Sequence, residues 1–262
     1  MNAVPPALAP QTDRITLQHP VFISDLHLSE DHPATLARFL QFAAQDALQF
    51  SELLILGDLF EFWVGDDCDD AIGATVAAAL KDLSSRGVHV FLMQGNRDLL
   101  LGGDFAARSG ATLLADPTIA DIGGEQVLLA HGDVYCTRDV DYLRFRAQVR
   151  NPDFQRMFLA KPIAERREFV GQARAASEEG KQAKTMEIMD VTPAAIADAM
   201  RAAGVRKMIH GHTHRPGLHR FDIDGGSVQR WVLADWDLDA EPKRGASLRI
   251  RDGLWEVVAL DG

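Results

Sequence analysis

The chain is 262 residues long, with 47% hydrophobic and 25% charged side chains, ordinary values for a globular protein that buries a sizeable core. Its formal net charge of −11 argues against general affinity for nucleic acid or anionic lipid, since both attract basic surfaces. Two distant cysteines, Cys68 and Cys136, argue against a disulfide framework or a zinc–thiolate site, and no apolar run reaches the roughly 18 residues of a membrane span.

Residues 1–20 carry four prolines and lack the basic start and apolar stretch of a secretory signal, so they read as a poorly ordered lead-in. Residues 21–26 are the first strand candidate and run straight into Asp25 and His27. Residues 33–49 place Leu36, Phe39, Leu40, Ala43 and Ala47 at helical spacing, giving one apolar face. A second apolar run, 53–56, stops at Gly57 and presents Asp58. An acidic loop at 66–70 follows, and Ala-rich residues 71–86 predict a helix stopped at Gly87. The third buried strand, 89–94, ends in Gly95-Asn96-Arg97-Asp98. After a short helical piece at 104–109, residues 126–130 form a fourth strand ending in His131-Gly132-Asp133. Thr192, Pro193 and Gly204 mark the N-cap, first turn and stop of another helix. The fifth strand, 207–209, runs into His210-Gly211-His212-Thr213-His214, and short alternating segments from 229 to 260 read as antiparallel strands. Alternating strand and helix followed by β-rich sequence predicts an α/β layered fold, in which functional groups gather beyond the carboxyl ends of the strands.

Residues 138–184 break the rhythm. They hold 11 of the 27 basic residues against 7 acidic ones, contain no strand candidate, and carry Tyr142, Phe145, Phe154, Met157, Phe158, Leu159 and Phe169. The segment reads as a helical insertion. Its plain reading is a solvated hairpin whose aromatics pack on the body; its sharper one is a cap that offers basic and apolar groups to a substrate or membrane interface. The expected division is a lead-in at 1–20, a core at 21–137 and 185–262, and a cap at 138–184.

The strand ends together offer Asp25, His27, Asp58, Asn96, His131, His212 and His214. Nitrogen and oxygen donors without sulfur suit a pair of divalent ions such as manganese, iron or zinc rather than one structural zinc. Residues i and i+2 of an extended chain share a side, so Asp25 with His27, and His212 with His214, can each deliver two groups to one region. A carboxylate can bridge ions roughly 3.5–4 Å apart, and Asp58 is the best candidate for that bridge. Singly, a strand-end Asp or Asn is turn chemistry and a lone His is a satisfied side chain. Their recurrence at five strand ends is what turns them into a site.

Ser24-Asp-Leu-His, Gly57-Asp-Leu, Gly95-Asn-Arg-Asp, His131-Gly-Asp and Gly211-His-Thr-His resemble the ordered blocks of the calcineurin-like metallophosphoesterase superfamily. The resemblance implies a four-layer αββα sandwich with a helical cap insertion. It also implies one metal held by Asp25, His27, Asp58 and His214 and another held by Asp58, Asn96, His131 and His212. Many phosphomonoesterases of this group have Gly-Asn-His-Glu, whose His can protonate an alkoxide leaving group, where this chain has Arg97. A guanidinium stays protonated and cannot act as general acid, so Arg97 suits a phosphate leaving group, whose second pKa of about 6 lets it depart as an anion.

The narrower blocks, including Gly57-Asp-Leu-Phe-Glu, Trp63-Val-Gly-Asp-Asp, Ile188-Met-Asp-Val and His210-Gly-His-Thr-His-Arg-Pro, resemble the pyrophosphohydrolase family that cleaves UDP-2,3-diacylglucosamine in lipid A synthesis. This resemblance implies two divalent ions, manganese the expected pair, and water attacking the α-phosphorus to give UMP and 2,3-diacylglucosamine 1-phosphate. Asp58, Asn96, Arg97 and His212 would carry the catalysis. Asn96, Arg97, Asp139, Ser177, Lys181, Lys184 and His212 would meet the substrate, with Lys181 standing where the family has Asn. The expected setting is cytoplasmic, peripheral on the cytoplasmic face of the bacterial inner membrane, with no nucleic-acid or obligate protein partner. The alternative within the superfamily is a nucleotide pyrophosphatase or phosphodiesterase acting on a soluble substrate.

Overall fold

A computed structural model describes residues 14–68, 70–183, 188 and 190–260, with the backbone alone over residues 176–183. The first half of the chain runs β1 (Arg14–Leu17), β2 (Pro20–Ile23), α1 (Pro33–Gln41), β3 (Glu52–Leu56), α2 (Ala71–Ser85), β4 (His89–Met93), α3 (Gly103–Ser109) and β5 (Thr112–Leu114). It continues through β6 (Thr118–Ile122), β7 (Glu125–Ala130), α4 (Val140–Val149), α5 (Pro152–Leu159), α6 (Ile163–Ala183) and α7 (Pro193–Ala203). The last strands are β8 (Lys207–His210), β9 (Gly217–Ile223), β10 (Gly226–Val232), β11 (Ala246–Arg251) and β12 (Leu254–Ala259).

The strands form two six-stranded sheets, ordered β1-β6-β7-β8-β10-β9 and β12-β11-β2-β3-β4-β5. Strand β3 shows how one stretch of sequence builds two layers. All five of its residues are buried, and because successive side chains point to opposite faces, they divide between two cores. Leu53 and Ile55 pack with Phe39, Val76, Leu80 and Phe105 of α1 to α3. Leu54 and Leu56 pack with Leu129 and Ile209 of the other sheet. That sheet turns Leu128 and Met208 the opposite way, onto Ile196 and Met200 of α7. Helix, sheet, sheet, helix is therefore the layer order. Each large aliphatic side chain buried this way contributes about 1.5–3 kcal/mol of transfer free energy, so the four layers are mutually dependent.

The elements depart from expectation where local pattern was weak. The lead-in to residue 20 is not structureless throughout, because Arg14–Leu17 forms β1 and pairs in parallel with β6. Strands β5, β6 and β9 have no counterpart among the strands that the sequence pattern predicts. The first is three residues long, the second is interrupted by Asp121, and the third is half exposed, so none shows a clean apolar period. The helix expected over 33–49 divides into α1, a π-helical turn at Phe42–Asp46 and a 3₁₀ turn at Ala47–Gln49. The wider turn brings Phe42, Ala43 and Ala47 together into burial against the sheet. Thr192 has the extended backbone of an N-cap, yet its hydroxyl bonds Thr137 Oγ1 at 2.7 Å instead of capping α7, while Gly204 ends that helix at φ 67°. The acidic loop proves to be anchoring chemistry: Asp66 accepts from Gly102 N and Phe105 N at the start of α3, and Asp70 caps α2.

Residues 138–183 carry α4, α5 and α6. Buried Arg166 of α6 donates to Val64 O at 2.8 Å and forks onto both oxygens of Asp67. On α4, Tyr142 OH and Arg146 Nε donate to buried Asp133 at 2.5 and 2.8 Å. These charge-assisted contacts fix the helical segment over the ends of β3 and β7.

Candidate metal centre

The carboxyl ends of β2, β3 and β4 from one sheet and of β7 and β8 from the other converge on one region. The chain must bend sharply as each strand ends, and it does so with left-handed backbone at Asp25 (φ 55°), His27 (φ 50°), Asp58 (φ 53°), His212 (φ 67°) and His214 (φ 52°). Side-chain-bearing residues in that region cost about 1–2 kcal/mol each, so five together mark a place where the fold accepts strain to aim side chains. Close approach of the loops requires glycine at 95, where an added Cβ would lie 2.0 Å from Asp58 Oδ1 and 2.3 Å from Asp58 N.

Two groups of donors result. Asp25, His27 and His214 bring one ligand atom each within 4.8 Å of one another, and so do Asp58, His131 and His212. His212 and His214 thus serve different groups, as the family resemblance implied, within the one region to which their i, i+2 spacing pointed. Left-handed backbone at both positions breaks the alternation of an extended strand just where the two rings part to different groups. Asn96 joins the second group through Oδ1, 2.9 Å from His131 Nε2. Asp58 stands between the groups, with Oδ1 3.7 Å from His131 Nε2 and Oδ2 3.9 Å from His27 Nε2.

The donor atoms fit divalent cations. His131 Nδ1 lies 2.9 Å from Leu56 O, which accepts its N–H, and His27 Nδ1 meets the Glu61 carboxylate as an ion-pair contact of 2.9 Å without hydrogen-bond alignment, so the Nε2 atoms are the ones turned toward the site. His27 Nε2 then faces His214 Nε2 at 3.3 Å, and His131 Nε2 faces the Asn96 oxygen at 2.9 Å. Donor atoms about 3 Å apart are at the separation of adjacent ligands around an ion bound at roughly 2.1 Å. The local field agrees. Burial alone would raise the Asp25 carboxyl, but its bond to His214 and the charges of His131, His214 and His27 hold it well below the usual range. Burial would lower His131, yet Asp58 and Asp25 push it up to about 9. His212 goes the other way: burial and the neighbouring His131 charge lower it to about 4, leaving a neutral ring to present its lone pair.

Side chains outside the expected set complete the site. Asp98 accepts from Leu59 N and Gly95 N at 2.8 and 2.7 Å, tying the β3 and β4 loops together, and burial with the nearby Asp58 charge raises it to about 6. Glu61 holds His27 and also meets Arg97 at 3.5 Å and Arg174 of α6 at 2.6 Å. Burial alone would raise its carboxyl, but His27 and the two guanidiniums hold it at about 2. Asp235 lies 3.6 Å from His214 Nδ1, a looser ion-pair contact than the 2.9 Å between Glu61 and His27. Tyr142 stacks on His212 with ring centroids 6.1 Å apart. His210 points away from the donors, bonded to Gly211 O and Arg230, and burial holds it neutral at about 3.

Arg97 sits at the rim, its backbone N–H donating to Asp58 Oδ1 at 2.8 Å. Asp139 caps α4 by accepting from Tyr142 N at 3.1 Å, so its carboxylate already has a structural duty. Lys184 lies outside the described residues, as do the side chains of Ser177 and Lys181.

The calcineurin-like phosphoesterase family model matches residues 20–216. The chain is 49% identical to the UDP-2,3-diacylglucosamine hydrolase of Cellvibrio japonicus over 82% of its own length and 90% of that protein's. It is 45% identical to the UDP-2,3-diacylglucosamine hydrolase of Marinobacter nauticus over 87% of its length and 96% of that protein's. A relative of the same name from Bordetella pertussis is 47% identical, over 92% of this chain and 96% of the other. With its strand-end donors gathered into two groups suited to divalent ions, the chain belongs to the calcineurin-like phosphoesterase family.

Proposed function

We propose that this protein hydrolyses the pyrophosphate bond of UDP-2,3-diacylglucosamine to UMP and 2,3-diacylglucosamine 1-phosphate, a step of lipid A synthesis. The observation that carries the reading is the complete donor set in a chain 45–49% identical to hydrolases of that name over most of its length. Asp25, His27, Asp58 and His214 would hold one ion, and Asp58, Asn96, His131 and His212 the other. Two such ions, manganese being the expected pair, supply Lewis acidity and a lowered pKa for water.

The chain's own groups do the rest. Arg97, steadied by Glu61, stabilises charge on the phosphoryl oxygens and gives no proton to a phosphate leaving group, which needs none. Asn96 and His212 orient the reacting phosphoryl, and Asp139, Ser177, Lys181 and Lys184 are the further substrate contacts. Glu61 fixes His27 with Nε2 available, so Glu61→Ala should weaken the first ion about 10–100-fold while the second stays bound, as metal titration would show.

The helical segment acts as a cap for the acyl chains. Phe145, Met157, Leu159 and Phe169 remain 40%, 66%, 40% and 39% exposed, which is unusual for so many large apolar side chains on one short segment. Phe145→Asp should raise KM for the lipid substrate roughly 10–100-fold and leave turnover of a small soluble ester nearly unchanged. Among the described residues no helix is long and apolar enough to cross a membrane. The exposed apolar side chains of the cap and the lipid nature of the proposed substrate support a peripheral location on the cytoplasmic face of the inner membrane.

The test is UMP release from UDP-2,3-diacylglucosamine with manganese supplied, run beside UDP-glucose, in isotopically labelled water. Label in UMP and a strong preference for the acylated substrate are expected. Label in the lipid product rejects attack at the α-phosphorus, and equal rates on UDP-glucose reject the lipid specificity.

A further inference from the structure

A cleft opens beside the His27–His214 pair, walled by His32, Asp235, Asp237 and Arg244. If the diphosphate of the proposed substrate spans the metal centre, the two ends of the molecule must leave it by different routes. The acyl end requires apolar cover, which the cap offers. The nucleoside end is polar and aromatic, and this cleft adjoins the centre with polar walls. We propose, resting on the function given above, that the cleft is the subsite for the uridine of substrate and of UMP, with Asp237 and Arg244 reading the edge of the base.

The donor and acceptor pattern suits uracil. The edge of uracil presents two carbonyl acceptors flanking the N3–H donor. A guanidinium supplies donors and a carboxylate is an acceptor, so the pair complements that edge. Cytosine has a lone pair at N3, which a carboxylate repels. Both side chains are held in advance of any ligand. Arg244 donates through Nε to Asp235 at 3.1 Å and through Nη2 to Asp237 at 3.0 Å, engaging two of its three nitrogens. Asp237 accepts from Ala240 N on its other oxygen at 3.0 Å, and a carboxylate has further lone pairs to offer. The backbones of residues 237 and 244 exchange two hydrogen bonds of 2.9 Å, closing the loop between them. Trp236, 2% exposed and packed edge-on against Phe42, anchors the loop in the core. Such a platform loses little entropy when a base docks, which favours selectivity.

The experiment measures binding of UMP, CMP and inorganic phosphate to the full chain with manganese present, by calorimetry, for the wild type, Arg244→Ala and Asp237→Asn. The wild type should bind UMP more tightly than CMP or phosphate. Arg244→Ala should lower the ratio of UMP to phosphate affinity about tenfold, the worth of one charge-assisted hydrogen bond. Asp237→Asn should narrow or reverse the preference for UMP over CMP, because an amide N–H₂ can donate to the N3 of cytosine; a merely structural role would not move that ratio. Equal wild-type affinity for UMP and phosphate, or an unchanged UMP to CMP ratio in Asp237→Asn, overturns the subsite. A wild type that releases no UMP from the lipid substrate refutes the underlying reading, an outcome separate from a wild type that releases UMP while both variants keep its ratios.

Discussion

Asp58→Ala should reduce turnover at least 10³-fold and deplete both halves of the metal centre. The expectation follows from the two oxygens of one buried side chain, 2% exposed, that look in different directions: Oδ1 toward His131 and Oδ2 toward His27. With Asp58 shared as proposed, removing it would take a ligand and a negative charge from each half, and the charge would be the larger loss. A buried cation cluster without its carboxylates is left repelling itself in a medium that screens weakly. The substitution also deletes the acceptor of the Arg97 N–H, freeing the loop that presents Asn96 and Arg97. His131→Ala is the contrasting variant, since His131 belongs to one group only. Metal content per chain, measured by inductively coupled plasma mass spectrometry after dialysis, should fall from two toward zero for Asp58→Ala and toward one for His131→Ala. If both variants retain one ion, Asp58 is not shared and the bridge is wrong. Far-ultraviolet circular dichroism checks that the sandwich persists, as it should, because the core around Leu53 and Ile55 does not include Asp58.

The sequence made Asp58 legible for a simple reason. A buried parallel strand must end, a glycine marks where, and a carboxylate just past it stands at the rim of the sheet. The same logic exposed Asp25, His27, Asn96, His131, His212 and His214, because each follows its strand directly. It could not expose Glu61 or Asp235. Neither belongs to a motif whose spacing points at a metal, and their roles come from tertiary contacts with His27 and His214. Strand periodicity alone does not give the partition of His212 and His214, which goes with positive φ at two non-glycine residues; the family resemblance implied it. In the fold, the central strands announced themselves through continuous apolar runs, whereas β1, β5 and β9 exist because a neighbour supplies their hydrogen bonds. β1 pairs with β6, and β9 pairs with β10, across residues with no strong pattern of their own. Arg166 and Asp67, 99 residues apart, illustrate the general limit: composition shows that charges exist and leaves open which of them meet.

Arg97→His should invert the preference of the centre between phosphoanhydride and alkyl phosphomonoester. Arg97 contributes a permanent charge next to the donors and is held toward them by Glu61 at 3.5 Å. Removing a preorganised charge of this kind costs roughly 10²–10³-fold in turnover, and that loss should fall on the pyrophosphate substrate. An imidazole brings what a guanidinium lacks, a proton that can leave near neutral pH, with an ordinary pKa of about 6.5. Carboxylates nearby would raise that value and keep the ring charged at neutral pH, the state required to protonate an alkoxide. Rates on the two substrates should therefore move in opposite directions in Arg97→His and fall together in Arg97→Ala. Arg97→Lys separates charge from geometry: it keeps a cation, loses the planar fork, and should retain part of the pyrophosphatase rate with no gain on the monoester. Initial rates on UDP-2,3-diacylglucosamine and on glycerol phosphate across the three variants decide the matter. Should Arg97→His be as slow as Arg97→Ala on glycerol phosphate, position 97 does not face the leaving group, and the link from a fixed charge there to anhydride chemistry fails.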